Sequence, residues 1–243
     1  MNRRLTNVIR FLMDECLPPV IRDNKYFMYP FYCFAYGGQN IRETMAFKTR
    51  VYEFSADEYQ QFYAGLNSIS RNRLTDLNAA CIEHILGLLT SSTHTLLDVG
   101  CGSGYLLRQI HARFPAMTLA GADIIPQQVS FPFTYHQSDI LALQPQAAPF
   151  DVVTCCHTLE HILALPEAMA HLRQLCSHFL VVVVPCQRYF YYTLDEHVHF
   201  FTHEQQLAPM LGLQKTDIAA CHKLNGDWLL VIKSSRDLAK SRE

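Results

Sequence analysis

Long apolar runs are missing from this chain of 243 residues. The longest covers residues 179–184, which is the length of a strand, whereas a helix that crosses a bilayer needs roughly 20 apolar residues. We therefore expect no membrane span. Near the start, Leu5, Ile9 and Leu12 share one face of a short predicted helix. That face would dock on the protein's own surface or, as the alternative, on a membrane surface.

The nine cysteines form no Cys-x-x-Cys pair. This absence excludes the zinc-ribbon and thioredoxin classes, which need that spacing. The number is odd, the spacing is irregular, and most of the cysteines stand within apolar segments, as buried free thiols do. Free thiols persist in a reducing compartment, so the sequence predicts a cytoplasmic protein.

An excess of charge of either sign is also missing. The chain has 20 Lys and Arg against 22 Asp and Glu, a formal net charge of −2. Proteins dedicated to nucleic acids usually carry a basic excess, so we expect no nucleic-acid partner. The composition is 49% hydrophobic, enough for a large core, and the length suits one large α/β domain or two small ones.

Residues 1–70 are rich in aromatic residues and lack the alternation of strands and helices that the rest of the chain shows. They are expected to form a helical or irregular N-terminal cap. They contain an aromatic run over residues 26–36 and the pattern Ser55-Ala-Asp-Glu58, which is a capping box that begins a helix. Aromatic residues at this density form a core or, as the alternative, line an acceptor pocket. We assign residues 71–243 to a second domain.

The second domain alternates apolar strands with helical segments. Strands are predicted at residues 95–99, 117–123, 133–137, 150–156 and 179–184, and two more at 213–224 and 227–234. Continuous apolar strands separated by helices are typical of a parallel sheet covered on both faces. Asn225-Gly226 between the last two is a strong hairpin signal. The predicted fold is α/β, with a doubly wound, mostly parallel seven-stranded sheet that ends in an antiparallel hairpin.

A glycine loop follows the first of these strands directly. Gly100, Gly102 and Gly104 stand between the strand and a helix that begins at Tyr105. Glycines there permit a tight turn and let a ligand approach the backbone closely. Dinucleotides and S-adenosylmethionine both fit such a loop.

Charge favours S-adenosylmethionine. A dinucleotide loop has the spacing G-x-G-x-x-G and holds a pyrophosphate at the helix N-terminus. Here the third glycine comes one position early and Tyr105 occupies its place, while Asp98 would repel a pyrophosphate. The ammonium and sulfonium groups of S-adenosylmethionine are cations that a carboxylate attracts. The glycine spacing, with Tyr105 at the third position, and the Asp98 carboxylate both argue against a nicotinamide-dependent dehydrogenase.

Two further carboxylates follow the next strands. Asp123 ends the second strand, where an acidic side chain can accept hydrogen bonds from both ribose hydroxyls. Asp139 follows the third strand and could accept a hydrogen bond from the adenine amino group, with Ile124 and Ile140 beside the ring. These positions predict a nucleoside site.

Residues 96–107, 119–124, 138–141 and 150–161 together resemble the class I S-adenosylmethionine-dependent methyltransferases, in their small-molecule branch. The resemblance covers roughly residues 75–235 and includes the hairpin ending. It implies that S-adenosylmethionine is the cofactor and S-adenosylhomocysteine the product.

The resemblance also implies roles for individual residues. Asp98 and the loop would surround the methionine part of the donor, Asp123 would hold the ribose, and Asp139 with Ile140 would hold the adenine. His157 would lie beside the sulfonium and the acceptor. The loop residues in this set are Gly100, Cys101, Gly102 and Gly104. Arg73 could pair with the donor's carboxylate, or it is a solvated surface arginine.

Histidines after the fourth and fifth strands are the candidate bases. Ligand sites of parallel sheets lie beyond the carboxyl ends of the strands, where His157, His197 and His199 stand. We predict that His157 or His199 is the base, with His197 as a further candidate. His197, His199 and His203 could instead bind a metal, but H-x-H-x-x-x-H is not an established metal signature and we predict none.

The function predicted is therefore S-adenosylmethionine-dependent methyl transfer to a small or medium-sized acceptor, with oxygen as the favoured acceptor atom. Sugar-like, polyketide-like, quinone-like and lipid-like acceptors remain open. The alternative is a non-catalytic domain that binds S-adenosylmethionine or a partner.

Overall fold

The computed structural model of the chain describes residues 12–66, 74–126, 131–144 and 148–234. Leu5 and Ile9 of the predicted N-terminal helix, and the donor candidate Arg73, lie outside these residues. Contacts divide the chain into two compact units. The first comprises Met1–Arg73 and Gln187–Phe200, and the second comprises Leu74–Cys186 and Phe201–Glu243.

The first unit is helical. Its helices are α1 (Pro19–Arg22), α2 (Lys25–Ala35), α3 (Ile41–Arg50) and α4 (Ala56–Gly65), with single turns at Leu12–Cys16 and Val51–Glu53. The predicted capping box at the start of α4 is present. Ser55 Oγ accepts a hydrogen bond from the Glu58 amide at 3.3 Å, and Glu58 Oε2 accepts one from the Ser55 amide at 2.8 Å.

The aromatic run is helical rather than irregular, since most of it forms α2. Asn24 caps this helix, because its Oδ1 atom accepts hydrogen bonds from two amides of the first turn. Met28 and Tyr32, four residues apart, are buried on one face. The following rings are exposed instead of forming a core: Tyr26, Phe27, Tyr29, Phe31 and Phe34.

The second unit is a sheet with helices. The strands are β1 (Thr95–Val99), β2 (Thr118–Asp123), β3 (Thr134–Gln137), β4 (Phe150–Cys156), β5 (Cys176–Pro185), β6 (Ile218–Leu224) and β7 (Asp227–Lys233). The helices are α5 (Ala79–Leu88), α6 (Tyr105–Arg113), α7 (Leu165–Leu175) and α8 (Glu204–Met210), with short 3₁₀ turns at Ile140–Ala142, Leu159–His161 and Lys215–Asp217. No helix of the described residues is long and apolar enough to cross a bilayer.

The sheet order is β3-β2-β1-β4-β5-β7-β6, which confirms the predicted fold class. Strands β1 to β5 pair in parallel, and β7 pairs antiparallel with both β5 and β6. Parallel pairing brings the carboxyl ends of β1, β2 and β4 to one edge of the sheet. The glycine loop and the predicted ligand carboxylates follow these ends.

Both faces of the sheet are buried under helices. Alternate residues of β1 show the division: Leu96 packs in the cluster that contains α5 and α6, while Leu97 packs in the cluster that contains α7 and α8. Successive side chains of a strand point to opposite faces, so each apolar strand contributes to both clusters. This burial explains the continuous apolar strands of the sequence.

Side chains cap the starts of two helices. Helix α5 begins after Asn78, whose Oδ1 atom accepts a hydrogen bond from the Cys81 amide at 2.9 Å. Helix α8 begins after His203. Gln206 Oε1 accepts hydrogen bonds from the amides of Thr202 and His203 at 3.1 Å and so closes this turn.

Candidate active site

The glycine loop joins β1 to α6. Its three glycines adopt positive φ angles, of which Gly100 has +75° and Gly102 has +48°. A Cβ atom on Gly100 would lie 1.9 Å from Thr158 Oγ1, so no larger residue fits while Thr158 keeps its place. A Cβ atom on Gly102 would meet nothing within 4 Å. The loop is therefore packed against protein at Gly100 and open at Gly102, where a ligand can approach the backbone.

Asp98 places a buried carboxyl group directly before this loop. The side chain is 3% exposed, and Thr154 Oγ1 donates a hydrogen bond of 2.6 Å to Asp98 Oδ1. Burial raises the pKa of Asp98 to about 7, against the lowering effect of the Thr154 hydrogen bond, and the charge of Asp123 raises it further. Near neutral pH the carboxyl group is thus divided between its neutral and charged forms, and a cationic ligand favours the charged form.

This titration predicts a pH dependence of donor binding. A donor ammonium selects the Asp98 carboxylate, so binding below pH 7 must release a proton. We expect the affinity for S-adenosylhomocysteine to level off above about pH 8 and to fall toward lower pH, approaching about tenfold per pH unit below about pH 6. Calorimetry between about pH 5.5 and 8.5 measures it. Asp98→Asn should bind more weakly without this slope, and a flat parental profile would refute the assignment.

Asp123 connects the second strand to the loop. Its Oδ2 atom accepts a hydrogen bond from the Gly102 amide at 2.9 Å, and its Oδ1 atom accepts one from the Ile125 amide at 3.0 Å. Tyr135 donates its hydroxyl to the Asp123 carbonyl at 3.2 Å. Each carboxylate oxygen has more than one lone pair, so the group can also accept hydrogen bonds from ligand hydroxyls at the open side of the loop.

The remaining predicted donor-binding residues are Asp139, Ile140, Ile124 and Cys101. Asp139 precedes the turn Ile140–Ala142, and its Oδ1 atom accepts a hydrogen bond from the Leu141 amide at 2.8 Å. Ile140 is buried and Ile124 is partly exposed. Cys101 is buried, and burial raises the pKa of its thiol, which stays neutral.

His157 stands between two carboxyl groups. Its Nδ1 atom lies 3.3 Å from Glu160 Oε1, and its Nε2 atom lies 3.4 Å from Asp227 Oδ2. Burial would lower the pKa of the imidazole, but the two carboxylates outweigh this effect and raise it to about 10. An imidazolium has no lone pair with which to accept a proton. The arrangement therefore favours a fixed cation over the base that the sequence suggested.

His197 has a different environment, within the first unit. Gln187 donates from Nε2 to Asp195 Oδ2 at 2.8 Å, which places its Oε1 atom 2.6 Å from His197 Nδ1. Since a carbonyl oxygen only accepts, Nδ1 carries a proton, and whenever the ring is neutral its Nε2 atom is the proton acceptor. Asp195 Oδ2 also lies 3.4 Å from Nδ1. This pairing of carboxylate and imidazole orients a base.

The charge of Asp195 is firmly held. Burial would raise the pKa of this carboxyl group, but His197, Lys48 and the Gln187 hydrogen bond hold it well below its usual value. Lys48 is itself enclosed, since its Nζ atom donates to the Phe190 carbonyl at 3.1 Å and lies 4.5 Å from the centre of the Phe200 ring. His199 lies in the same segment and is partly exposed. Which histidine acts as base stays a prediction.

Sequence reasoning missed several residues of these clusters. Thr154, Thr158 and Asp227 contact predicted residues, and Gln187 orients His197. The Asn-Gly turn before Asp227 indicated the hairpin, but no local pattern indicated that this carboxylate reaches a histidine seventy positions earlier. Such a contact depends on the pairing of β5 with β7.

Known proteins share both sequence and fold with this chain. Residues 71–221 match a family described as a methyltransferase domain. The ubiquinone biosynthesis O-methyltransferase of Xylella fastidiosa (strain M23) is 34% identical over an alignment of 113 residues, and the match covers 40% of this chain and 44% of that protein. The protein of strain Temecula1 gives the same values. The chain thus spans less than half of the length of these curated relatives.

A solved structure has the same fold. The plantazolicin methyltransferase BpumL, in complex with a pentazolic desmethylPZN analog and SAH, superimposes with a TM-score of 0.52 at 14% identity, covering 79% of this chain and 98% of that one. The family match covers more than half of the chain and falls on the sheet and loop described above. The chain therefore belongs to the methyltransferase-domain family.

Proposed function

We propose that this protein catalyses S-adenosylmethionine-dependent methyl transfer to an oxygen atom of a small or medium-sized hydroxylated acceptor. The observation that carries the proposal is the orientation of His197 by Asp195 and Gln187, because a hydroxyl acceptor must lose a proton during transfer. The similarity to an O-methyltransferase over 113 residues supports it.

The donor assignments are part of the same proposal. The glycine loop and Asp98 hold the methionine part, Asp123 accepts hydrogen bonds from the ribose, and Asp139 with Ile140 meets the adenine. S-Adenosylmethionine supplies an electrophilic methyl carbon bound to a sulfonium. Asp98 attracts the ammonium of this ligand, and the open backbone at Gly102 admits it closely.

Proton removal is assigned to His197. S-Adenosylmethionine would supply the methyl group, and His197 Nε2 would take the proton that a hydroxyl acceptor loses on methylation. Asp195 stabilises the resulting imidazolium through the Nδ1 side of the ring. The ring returns the proton to solvent, so charge and atoms balance.

His197→Gln tests this role. A positioned base contributes about 10²- to 10⁴-fold, so we expect turnover to fall by that factor while the affinity for S-adenosylhomocysteine stays within about threefold (~0.7 kcal/mol). The assay detects the methylated product by mass on a panel of hydroxylated quinone-like rings, sugars and lipids.

Two variants complete the test. His199→Gln shows whether the neighbouring histidine carries the role instead. His94→Gln is the matched control, because His94 is exposed at the amino end of β1 and its backbone contact survives the change. If His197→Gln methylates the acceptor at the parental rate, His197 is not the base. Methylation at nitrogen or carbon only would overturn the choice of oxygen.

A further inference from the structure

Four polar side chains from separate elements, three of them buried, meet beside the carboxyl end of β4. Asn78 caps α5, His157 follows β4, Glu160 lies in the turn Leu159–His161, and Asp227 is the first residue of β7. Asn78, Glu160 and Asp227 are each at most 4% exposed. Burying a polar group costs free energy unless the group is paired. The cluster is therefore expected to contain such pairs.

Their contacts form a continuous chain. Asn78 Nδ2 donates a hydrogen bond of 2.8 Å to Asp227 Oδ2, and the same oxygen lies 3.4 Å from His157 Nε2. Asn78 Nδ2 also lies 2.8 Å from the Leu224 carbonyl. On the other side of the ring, Nδ1 faces Glu160. Both nitrogens of the imidazole therefore lie within ion-pair distance of a carboxylate, which favours the doubly protonated ring.

The backbone of His157 connects this chain to the glycine loop. Its φ angle is +51°, a left-handed conformation that is uncommon for residues other than glycine, and its amide donates a hydrogen bond of 2.8 Å to the Val183 carbonyl. The next residue is Thr158, which packs so closely on Gly100 that a Cβ atom there would overlap it. The position of the His157 ring therefore affects how Thr158 packs against Gly100 of the donor loop.

We propose that Asp227 and Asn78 are positioning residues of the donor site: they hold the His157 imidazolium, which fixes the turn of Thr158 against Gly100 and so sets the affinity for the donor. The inference rests on the assignment of the donor to the glycine loop. It gives the C-terminal hairpin, through Asp227, a function besides closing the sheet.

Three other titratable groups, on β1 and β4, do not replace His157 in this role. Burial raises the pKa values of the Cys155 and Cys156 thiols on β4, so both stay neutral. Asp98 on β1 titrates near neutral pH, but it makes donor binding stronger as the pH rises. Loss of the His157 proton would make donor binding weaker as the pH rises, so the two effects have opposite signs.

Asp227→Asn is the central variant. It keeps the size of the side chain and removes one of the two charges that hold the proton, so His157 should titrate within the neutral range instead of near pH 10. Calorimetry with S-adenosylhomocysteine from pH 6 to 8.5 then gives the ratio of variant to parental affinity, in which the effects of Asp98 and of the ligand cancel. We expect this ratio to fall about tenfold across the range, as one proton becomes linked to binding.

Controls separate positioning from a general loss of stability. Asp217→Asn removes another buried carboxylate, which pairs with Arg173 at 3.3 Å, and its affinity ratio should not depend on pH. The double variant His157→Asn/Asp227→Asn should also have a flat ratio. If Asp227→Asn does not fold, Glu160→Gln removes the other charge beside the ring and should give the same sign.

The parental protein provides an independent test. Nuclear magnetic resonance of the His157 ring should show it protonated through pH 8.5. A ring that titrates near pH 6.5, or a flat ratio in the folded Asp227 and Glu160 variants, overturns the inference. Failure of the parental protein to bind S-adenosylhomocysteine would instead overturn the donor assignment, and the ring titration would still decide whether the imidazolium is held.

Discussion

Asp123→Ala lowers the affinity for S-adenosylhomocysteine by about 10²- to 10⁴-fold. Two hydrogen bonds from ribose hydroxyls to a carboxylate contribute roughly 1.5–3 kcal/mol each, and the variant loses both. It also frees the Gly102 amide, which Asp123 holds at 2.9 Å. Calorimetry at pH 7.5 measures the change.

Matched variants identify the cause of this loss. Asp123→Asn keeps one acceptor oxygen without the charge, so we expect a smaller loss, near tenfold, since one hydrogen bond of ~1.4 kcal/mol corresponds to that factor. Glu83→Ala removes an exposed carboxylate of α5 and should bind as the parent does. Unchanged affinity in Asp123→Ala would remove the ribose assignment.

Gly100→Ala should cause the largest loss of stability among the loop variants. The added Cβ atom would lie 1.9 Å from Thr158 Oγ1, and φ is +75°. Overpacking costs about 1–3 kcal/mol and the left-handed conformation about 1–2 kcal/mol for alanine. We expect the free energy of unfolding to fall by about 2–5 kcal/mol, as measured by urea denaturation.

The control for this variant is Gly87→Ala in α5, where a Cβ atom meets nothing within 4 Å. Alanine in a helix is favoured over glycine by about 0.5–1 kcal/mol, so Gly87→Ala should be stabilising. Thr158→Gly combined with Gly100→Ala should recover part of the loss because it removes the overlapping side chain. A Gly100→Ala protein with parental stability would contradict the tight packing of this loop.

The sheet could be predicted closely because its signals are local. The bounds of β1 and β4 agree with the predicted residues 95–99 and 150–156, since a strand buried on both faces is a short apolar run between polar turns. The positions of the glycines, Asp98 and Asp123 could be predicted in the same way, because each lies at or just after the carboxyl end of such a strand. Parallel topology then places them at one edge.

Local patterns indicate less where tertiary contacts decide the structure. The aromatic residues 26–36 contain too few polar residues to show a helical period, and Pro30 opposes a helix, yet Asn24 caps one and Met28 and Tyr32 bury its inner face. The charge of His157 depends on Asp227, which is near only because β5 pairs with β7. Sequence spacing could place this histidine at the carboxyl end of β4, but it could not show what surrounds the ring.

The ligand of the glycine loop distinguishes a methyltransferase from a nicotinamide-dependent dehydrogenase. A calorimetric comparison of S-adenosylhomocysteine and NAD on the parental protein and on Asp123→Ala identifies this ligand. We predict saturable binding of S-adenosylhomocysteine at one site per chain, a loss of about 10²-fold or more in the variant, and no heat of binding with NAD. Binding of NAD, or equal binding of S-adenosylhomocysteine by the two proteins, would contradict the account.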